Sequence, residues 1–279
     1  MSQRPGVDLD DEADLTRKQR REQAREQRKA LEEEAASSAK RKARLAQLGI
    51  VVAAVVAAIV VILIATGGGG TKKVAPHSAE ANQTVAAVNT LIGGIPQSGN
   101  TLGNPNAPVT MQYFGDLECP ICKEFTLGAL PAIIQKWVRT GKVKIEYRSM
   151  ETATREQEVF KTQQIAALAA GKQQKMWNFI ETFYHEQGEE GSGYVTESYL
   201  RGLAQQVPGL DLTTWTSARE EPALANQIAA DAQAANNVGF TGTPSFLFGK
   251  SGEAGKKFEY SSLTDPSSFN EAIAKLLKG

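Results

Sequence analysis

Both cysteines of this 279-residue chain stand in one tetrapeptide, Cys119-Pro120-Ile121-Cys122, and its flanks restrict the fold more than anything else in the sequence. Pro108 to Phe114, ending four residues before it, is apolar on both alternating faces, as a central strand covered by helices on both sides should be. Lys123 to Arg139 reads as a helix that Pro131 should kink. Gly141 ends that helix, and Lys142 to Arg148 alternates Val143, Ile145 and Tyr147 with Lys144, Glu146 and Arg148, the pattern of a half-buried strand. A β-α-β unit results, with the dithiol at its first strand-to-helix turn.

Two thiols separated by two residues at a helix start can close into a reversible disulfide, and the attacking species in disulfide exchange is the thiolate. A helix N-terminus offers unsatisfied N–H groups and partial positive charge, so Cys119 is the candidate nucleophile. Cys122, one turn inside, is expected to be buried and protonated until it resolves a mixed disulfide. Pro120 suits the first helical turn because no N–H is needed there. A static cross-link is a poor reading, since so short a loop removes little chain entropy. A metal site is another, but closed zinc sites need four ligands and the only histidines, His77 and His185, stand far apart in sequence. Trp137, Trp177 and Trp215, with Phe179, Phe183 and Met176, read as core.

Glu151 to Asn237 is rich in Ala, Gln and Glu with helical spacing throughout, broken at Gly171, Gly188 to Gly193 and Pro208-Gly209 into four or five helices. Pro244 to Gly249 is then a short apolar strand, Phe258 to Tyr260 its partner, and Asp265-Pro266 opens a last helix to Leu277. The fold class expected is α/β, a sheet of four or five strands carrying a helical insertion.

Leu45 to Thr66 contains no charged residue over 22 positions, about 33 Å as a helix, which fits one membrane span. Its length and the long preceding tail favour an uncleaved anchor over a signal peptide. Lys40, Arg41, Lys42 and Arg44 precede it against Lys72 and Lys73 beyond, which puts the N-terminus in the cytoplasm and the remainder outside, where disulfides persist. The expected divisions are a charged tail over 1–44, a transmembrane helix over 45–66, a flexible linker over 67–98 and a folded domain over 99–279, with the insertion at about 151–237. The tail reads as a solvated helix or a disordered arm, with a docking role as the alternative. Beyond it, 19 basic and 21 acidic residues leave no nucleic-acid footprint.

From about Ile95 to Gly279 the chain resembles the DsbA-like thiol:disulfide oxidoreductases of the thioredoxin fold, in particular membrane-anchored ones. The resemblance is carried by Gly103-Asn-Pro-Asn-Ala-Pro108, by Phe114-Gly-Asp-Leu-Glu-Cys-Pro-Ile-Cys-Lys-Glu-Phe125, by Pro131, by the helical insertion and by Gly242-Thr243-Pro244. It implies a cis Thr243–Pro244 bond facing the dithiol, with the backbone of Thr243 receiving an extended substrate chain. It further implies exported protein substrates and a membrane redox partner, DsbB-like or vitamin K epoxide reductase-like, with no cofactor beyond the Cys119–Cys122 disulfide and no metal. Two positions depart from the family pattern. Ile121 stands where strongly oxidising members carry His, and Tyr113 stands where many members bury an acid on the strand. Asp116 and Glu118 lie near enough to support the site by moving protons or, more simply, by forming the turn and its rim. Oxidation of exported chains is the expected activity; the alternatives are reduction or isomerisation, and a tethered binding protein for Cu(I) or unfolded chains.

Overall fold

The computed structural model describes residues 75–278; the expected tail and membrane span lie outside these residues. Among the described residues no helix is long and apolar enough to cross a membrane. The chain runs α1 (Ala79–Ile92), β1 (Gln97–Ser98), β2 (Thr101–Leu102), β3 (Val109–Gly115), α2 (Pro120–Leu127), α3 (Ala129–Ile133), a π-helical turn (Ile134–Val138) and β4 (Val143–Ser149). Five helices follow, α4 (Gln157–Gly171), α5 (Met176–His185), α6 (Glu197–Gln206), α7 (Leu212–Ala218) and α8 (Pro222–Val238), and then β5 (Ser245–Lys250), β6 (Lys256–Phe258) and α9 (Ser267–Lys278).

The sheet has six strands in the order β1-β2-β4-β3-β5-β6, one more than the sequence pattern allowed, because the two-residue strands β1 and β2 are too short to show a period. β3 is central, parallel to β4 and antiparallel to β5. On one face Val109, Met111 and Tyr113 are fully buried in the main core. The other face differs from expectation. Only its end is covered, where Phe114, Met150 and Leu247 pack on Ala235 of α8, while Thr110 and Gln112 are half-buried and share an open hollow with Lys144 and Glu146. The polar residues alternate with the apolar ones because, among the described residues, no helix covers that half of the sheet.

Phe246 of β5 joins the layers. Its ring centroid lies 4.7 Å from Phe125 of α2, 5.5 Å from Tyr113 of β3 and 5.2 Å from Phe269 of α9. Ring pairs at these separations add to the burial of large apolar surfaces. All three tryptophans are core and their indole N–H groups have acceptors: Asn270 Oδ1 for Trp137, the Asn100 carbonyl for Trp177 and the Ala166 carbonyl for Trp215.

Two expectations need correction. The linker placed over 67–98 contains α1, capped by the Ser78 hydroxyl accepting from Ala81 N–H, and the Arg139 guanidinium donates to the carbonyls of Leu91 and Gly93 at its far end. Only Ala81, Val88 and Ile92 of its fourteen residues are buried, too sparse a stripe to read as an amphipathic helix. The helix after the dithiol breaks at Gly128, not at Pro131. Pro131 cannot donate to the carbonyl of Leu127 and crowds it, so the disruption falls on the preceding turn. Gly128 serves there because the chain entering α9 crosses it: Ala129 N–H donates to the Leu263 carbonyl at 2.9 Å, and a Cβ on residue 128 would stand 2.8 Å from that oxygen. Gly128→Ala should therefore cost about 1–3 kcal/mol, read as a lower urea midpoint with unchanged slope.

Candidate functional site

β3 ends at Gly115, and the next four residues turn the chain into α2 so that Cys119 becomes its N-cap. Its sulfur accepts from the Cys122 N–H at 3.4 Å. Both cysteines are free thiols, Cys119 being 5% exposed and Cys122 fully buried. Pro120 and Ile121 are exposed, the latter at 44%, so an apolar side chain stands in solvent beside the reactive sulfur.

The two sulfurs are driven apart in acidity. Cys119 is lowered to about 6, first by the hydrogen bond from the Cys122 thiol, then, against the opposing effect of burial, by the Thr243 hydroxyl and the N–H groups of Cys122 and Ile121. Burial pushes Cys122 well above the ordinary thiol range, and the neighbouring Cys119 adds to it. At pH 7 about nine-tenths of Cys119 is then thiolate while Cys122 keeps its proton. These hydrogen bonds favour the thiolate although residue 121 is Ile.

The Thr243–Pro244 bond is cis, and the Thr243 carbonyl lies 3.6 Å from the Cys119 sulfur across 124 positions of sequence. Beside it an open groove of about 390 Å³ is lined by Phe240, Thr243, Pro244, Ser245, Phe258 and Tyr260.

Asp116 is fully buried, and its carboxylate is occupied in shaping loops. Oδ2 accepts from the backbone N–H groups of Thr152, Ala153 and Thr154 at 2.9–3.0 Å, and Oδ1 accepts from the Thr154 hydroxyl at 2.6 Å and from Glu118 N–H at 3.1 Å. Such a set holds the turn before Cys119 and the loop after β4 together. Glu118 is 4% exposed; burial, together with the charges of Asp116, Glu190 and Glu156, holds its carboxyl above the usual range, partly offset by a hydrogen bond from Thr154.

Tyr113 lies beneath the dithiol, its hydroxyl 3.4 Å from the Cys122 carbonyl, 3.2 Å from Thr126 Oγ1 and 3.3 Å from the Tyr184 hydroxyl. Burial pushes it far above the ordinary phenol value, so it is a neutral hydrogen-bonding group and cannot act as a base. Sequence reasoning missed two polar contributors. Gln187 Nε2 donates to the carbonyls of Leu117 and Cys119, fixing the turn from α5's far end, and the Thr152 hydroxyl meets that of Thr243. Neither leaves a local pattern, since each acts across 68 to 91 positions. Among the described residues no group of three or more His, Cys, Asp or Glu side chains is arranged to hold a metal ion.

The acidity of Cys119 sets its reactivity with pH. Iodoacetamide should modify one thiol of the reduced protein, at a rate that rises about tenfold per pH unit up to roughly pH 6 and then levels. A midpoint near the ordinary thiol value of about 8.5 would contradict the geometry.

A family model described as thioredoxin matches residues 97–265. Disulfide bond formation protein D of Bacillus subtilis is 27% identical over 183 residues, covering 64% of this chain and 77% of that protein. A probable disulfide bond formation protein D of Bacillus cereus is 24% identical over 148 residues, covering 52% and 67%. Among solved structures, oxidised BdbD from Bacillus subtilis superposes with a TM-score of 0.56 at 24% identity, over 68% of this chain and 99% of that one. DsbA1 from Wolbachia pipientis gives 0.53 at 20%, over 64% and 90%. With the dithiol at the strand-to-helix turn, the cis-proline loop opposite it and the helices inserted between β4 and β5, the chain belongs to the thioredoxin family and carries a DsbA-type domain.

Proposed function

We propose that this protein disulfide oxidoreductase is a net oxidant of exported polypeptides, working through the Cys119–Cys122 couple on the outer side of a membrane to which residues 45–66 anchor it. The observation that carries the reading is the unequal setting of the two sulfurs: Cys119 is the N-cap of α2 and accepts from Cys122 N–H at 3.4 Å, whereas Cys122 is fully buried, which fits a Cys119 thiol lowered to about 6 and a Cys122 thiol raised. A stabilised thiolate lowers the free energy of the reduced protein, which makes the disulfide a stronger oxidant.

The chemistry balances as follows. A substrate thiolate attacks the Cys119 sulfur of the protein disulfide, the S–S bond to Cys122 breaks, and Cys122 leaves and takes a proton. A second substrate thiolate then attacks the substrate sulfur of the mixed disulfide, and Cys119 departs as a thiolate. Two electrons have passed to the protein and the substrate holds a new disulfide. Of the two thiol protons given up, one is on Cys122 and one is in solvent. Low basicity suits Cys119 to be the final leaving group. An extended substrate chain is received by the Thr243 backbone at Pro244 and by the adjoining groove, with exposed Ile121 offering apolar contact. Reoxidation falls to a DsbB-like or vitamin K epoxide reductase-like membrane partner.

Equilibration of the purified protein with glutathione tests the direction. The account expects a potential more oxidising than about −180 mV, whereas a value below about −230 mV would make the protein a reductant.

A further inference from the structure

Three residues apart, at and just beyond the end of α5, Tyr184 and Gln187 leave the helix on the same side and between them reach three carbonyls of the turn that delivers Cys119. The Tyr184 hydroxyl donates to the Asp116 carbonyl at 3.1 Å, and Gln187 Nε2 donates to those of Leu117 at 2.7 Å and Cys119 at 3.1 Å. The Asp116 carbonyl also receives the Cys119 N–H, at 3.1 Å. We propose that Tyr184 is a positioning residue for Cys119, its hydroxyl fixing the carbonyl on which the Cys119 N–H rests, and that the Tyr113 hydroxyl stands behind it as its donor.

The direction of the chain follows from its hydrogens. A phenol has one to give, and a carbonyl can only receive. Because the Tyr184 hydrogen is spent on Asp116, the contact of 3.3 Å between the two phenols is made with the hydrogen of Tyr113. Tyr113 in turn receives from the Thr126 hydroxyl of α2 at 3.2 Å, and its contact with the Cys122 carbonyl, at 3.4 Å, is the longest of the three. The line Thr126, Tyr113, Tyr184, Asp116 runs from α2 through β3 and α5 back to the turn before α2, and all four residues are fully buried. Hydrogen bonds in such a line strengthen one another, and a buried member left without its partner is costly. What the line holds is the N-cap. With its N–H on the Asp116 carbonyl, Cys119 is extended at φ −69° and ψ 118°, and its sulfur meets the Cys122 N–H. Without the Tyr184 hydroxyl that carbonyl keeps one of these two donors, and its partial negative charge, three residues from a thiolate, is less offset.

The titratable groups around the sulfur are Cys122 on its own helix, Asp116 and Glu118 on the preceding turn, and Tyr260 beyond β6, whose phenol is raised by burial and then by both cysteines. The variants below change none of them. Burial also holds Tyr113 and Tyr184 well above the ordinary phenol value, so removing either hydroxyl removes no charge. The inference rests on the Cys119 thiolate but not on the direction of electron flow, so its failure is separable. A parent protein with an ordinary thiol midpoint removes the thiolate itself, whereas this inference concerns only the difference between variants.

The test is the pH profile of iodoacetamide modification of the reduced full-length chain, with glutathione equilibria and urea midpoints beside it, for the parent, Tyr184→Phe, Tyr113→Phe, their double variant and Thr182→Val. The last removes a buried hydroxyl from the same helix, one that donates to the Asn178 carbonyl within it. Part of a hydrogen bond acts equally on thiol and thiolate, so Tyr184→Phe should weaken Cys119 as an acid about two- to fivefold and lower the oxidising equilibrium constant by the same factor. Tyr113→Phe should weaken it about twofold and add nothing once Tyr184→Phe is present. Thr182→Val should lower the urea midpoint and keep the parental profile. A Tyr184→Phe protein with a lower urea midpoint but a parental profile, a Tyr113→Phe shift that persists beside Tyr184→Phe, or a Thr182→Val shift as large as that of Tyr184→Phe would each overturn the assignment. Should Tyr184→Phe fail to fold, Tyr113→Phe decides alone: the twofold shift supports the assignment and a parental profile overturns it.

Discussion

The structure turns on one sulfur and the hydrogens aimed at it. Cys119 sits where a helix begins, so backbone N–H groups that have no partner inside the helix point at its side chain. The Cys122 thiol, buried and unable to ionise, can only donate, and it donates to the one acceptor that gains from the bond. The arrangement is asymmetric by construction: each sulfur makes the other more extreme. Exchange chemistry follows from the asymmetry, because the sulfur nearer solvent is the better leaving group and the buried one keeps the proton.

The rest of the domain holds that sulfur in place. β3 fixes the start of the turn, and Phe246 locks β3, β5, α2 and α9 into one aromatic cluster. Asp116 and Gln187 then tie the turn to the loop after β4 and to the end of α5. These are buried polar groups with several partners each, whose loss is costly because the partners would be left unsatisfied. Tyr113, in the place of a buried acid, adds hydrogen bonds without adding charge. Burial, with the neighbouring Cys119, leaves the Cys122 proton in place at neutral pH.

Much of the frame was legible in the sequence because periodicity reports burial. The alternation of Val143, Ile145 and Tyr147 is the alternation of β4, and the apolar run before the dithiol is β3. Where burial is sparse the signal fails: α1 hides three side chains and relies on Arg139 from a distant element, so it read as linker. Pro131 announced a break but not its position, which depends on how closely the chain entering α9 passes Gly128. In the site, the cysteines and the Thr-Pro pair could be named from local motifs. The occupation of Asp116 could not, since its donors lie 36 to 38 positions onward, and neither could the Thr152–Thr243 contact. Ile121 marked only the absence of a His, because sequence shows which side chain is missing and not which hydrogens converge on Cys119.

If thiolate stabilisation is what makes the disulfide oxidising, the dithiol form must be the more stable folded protein. The gain from a depressed thiol pKa is fully present above the unfolded value of about 8.5 and is lost as pH falls through about 6. Denaturant unfolding of the reduced and oxidised protein across this range measures it directly. The account predicts a reduced form more stable than the oxidised one at pH 8 to 9 by our estimate of about one to a few kcal/mol, with the difference shrinking towards pH 6. An oxidised form that is the more stable throughout would contradict it.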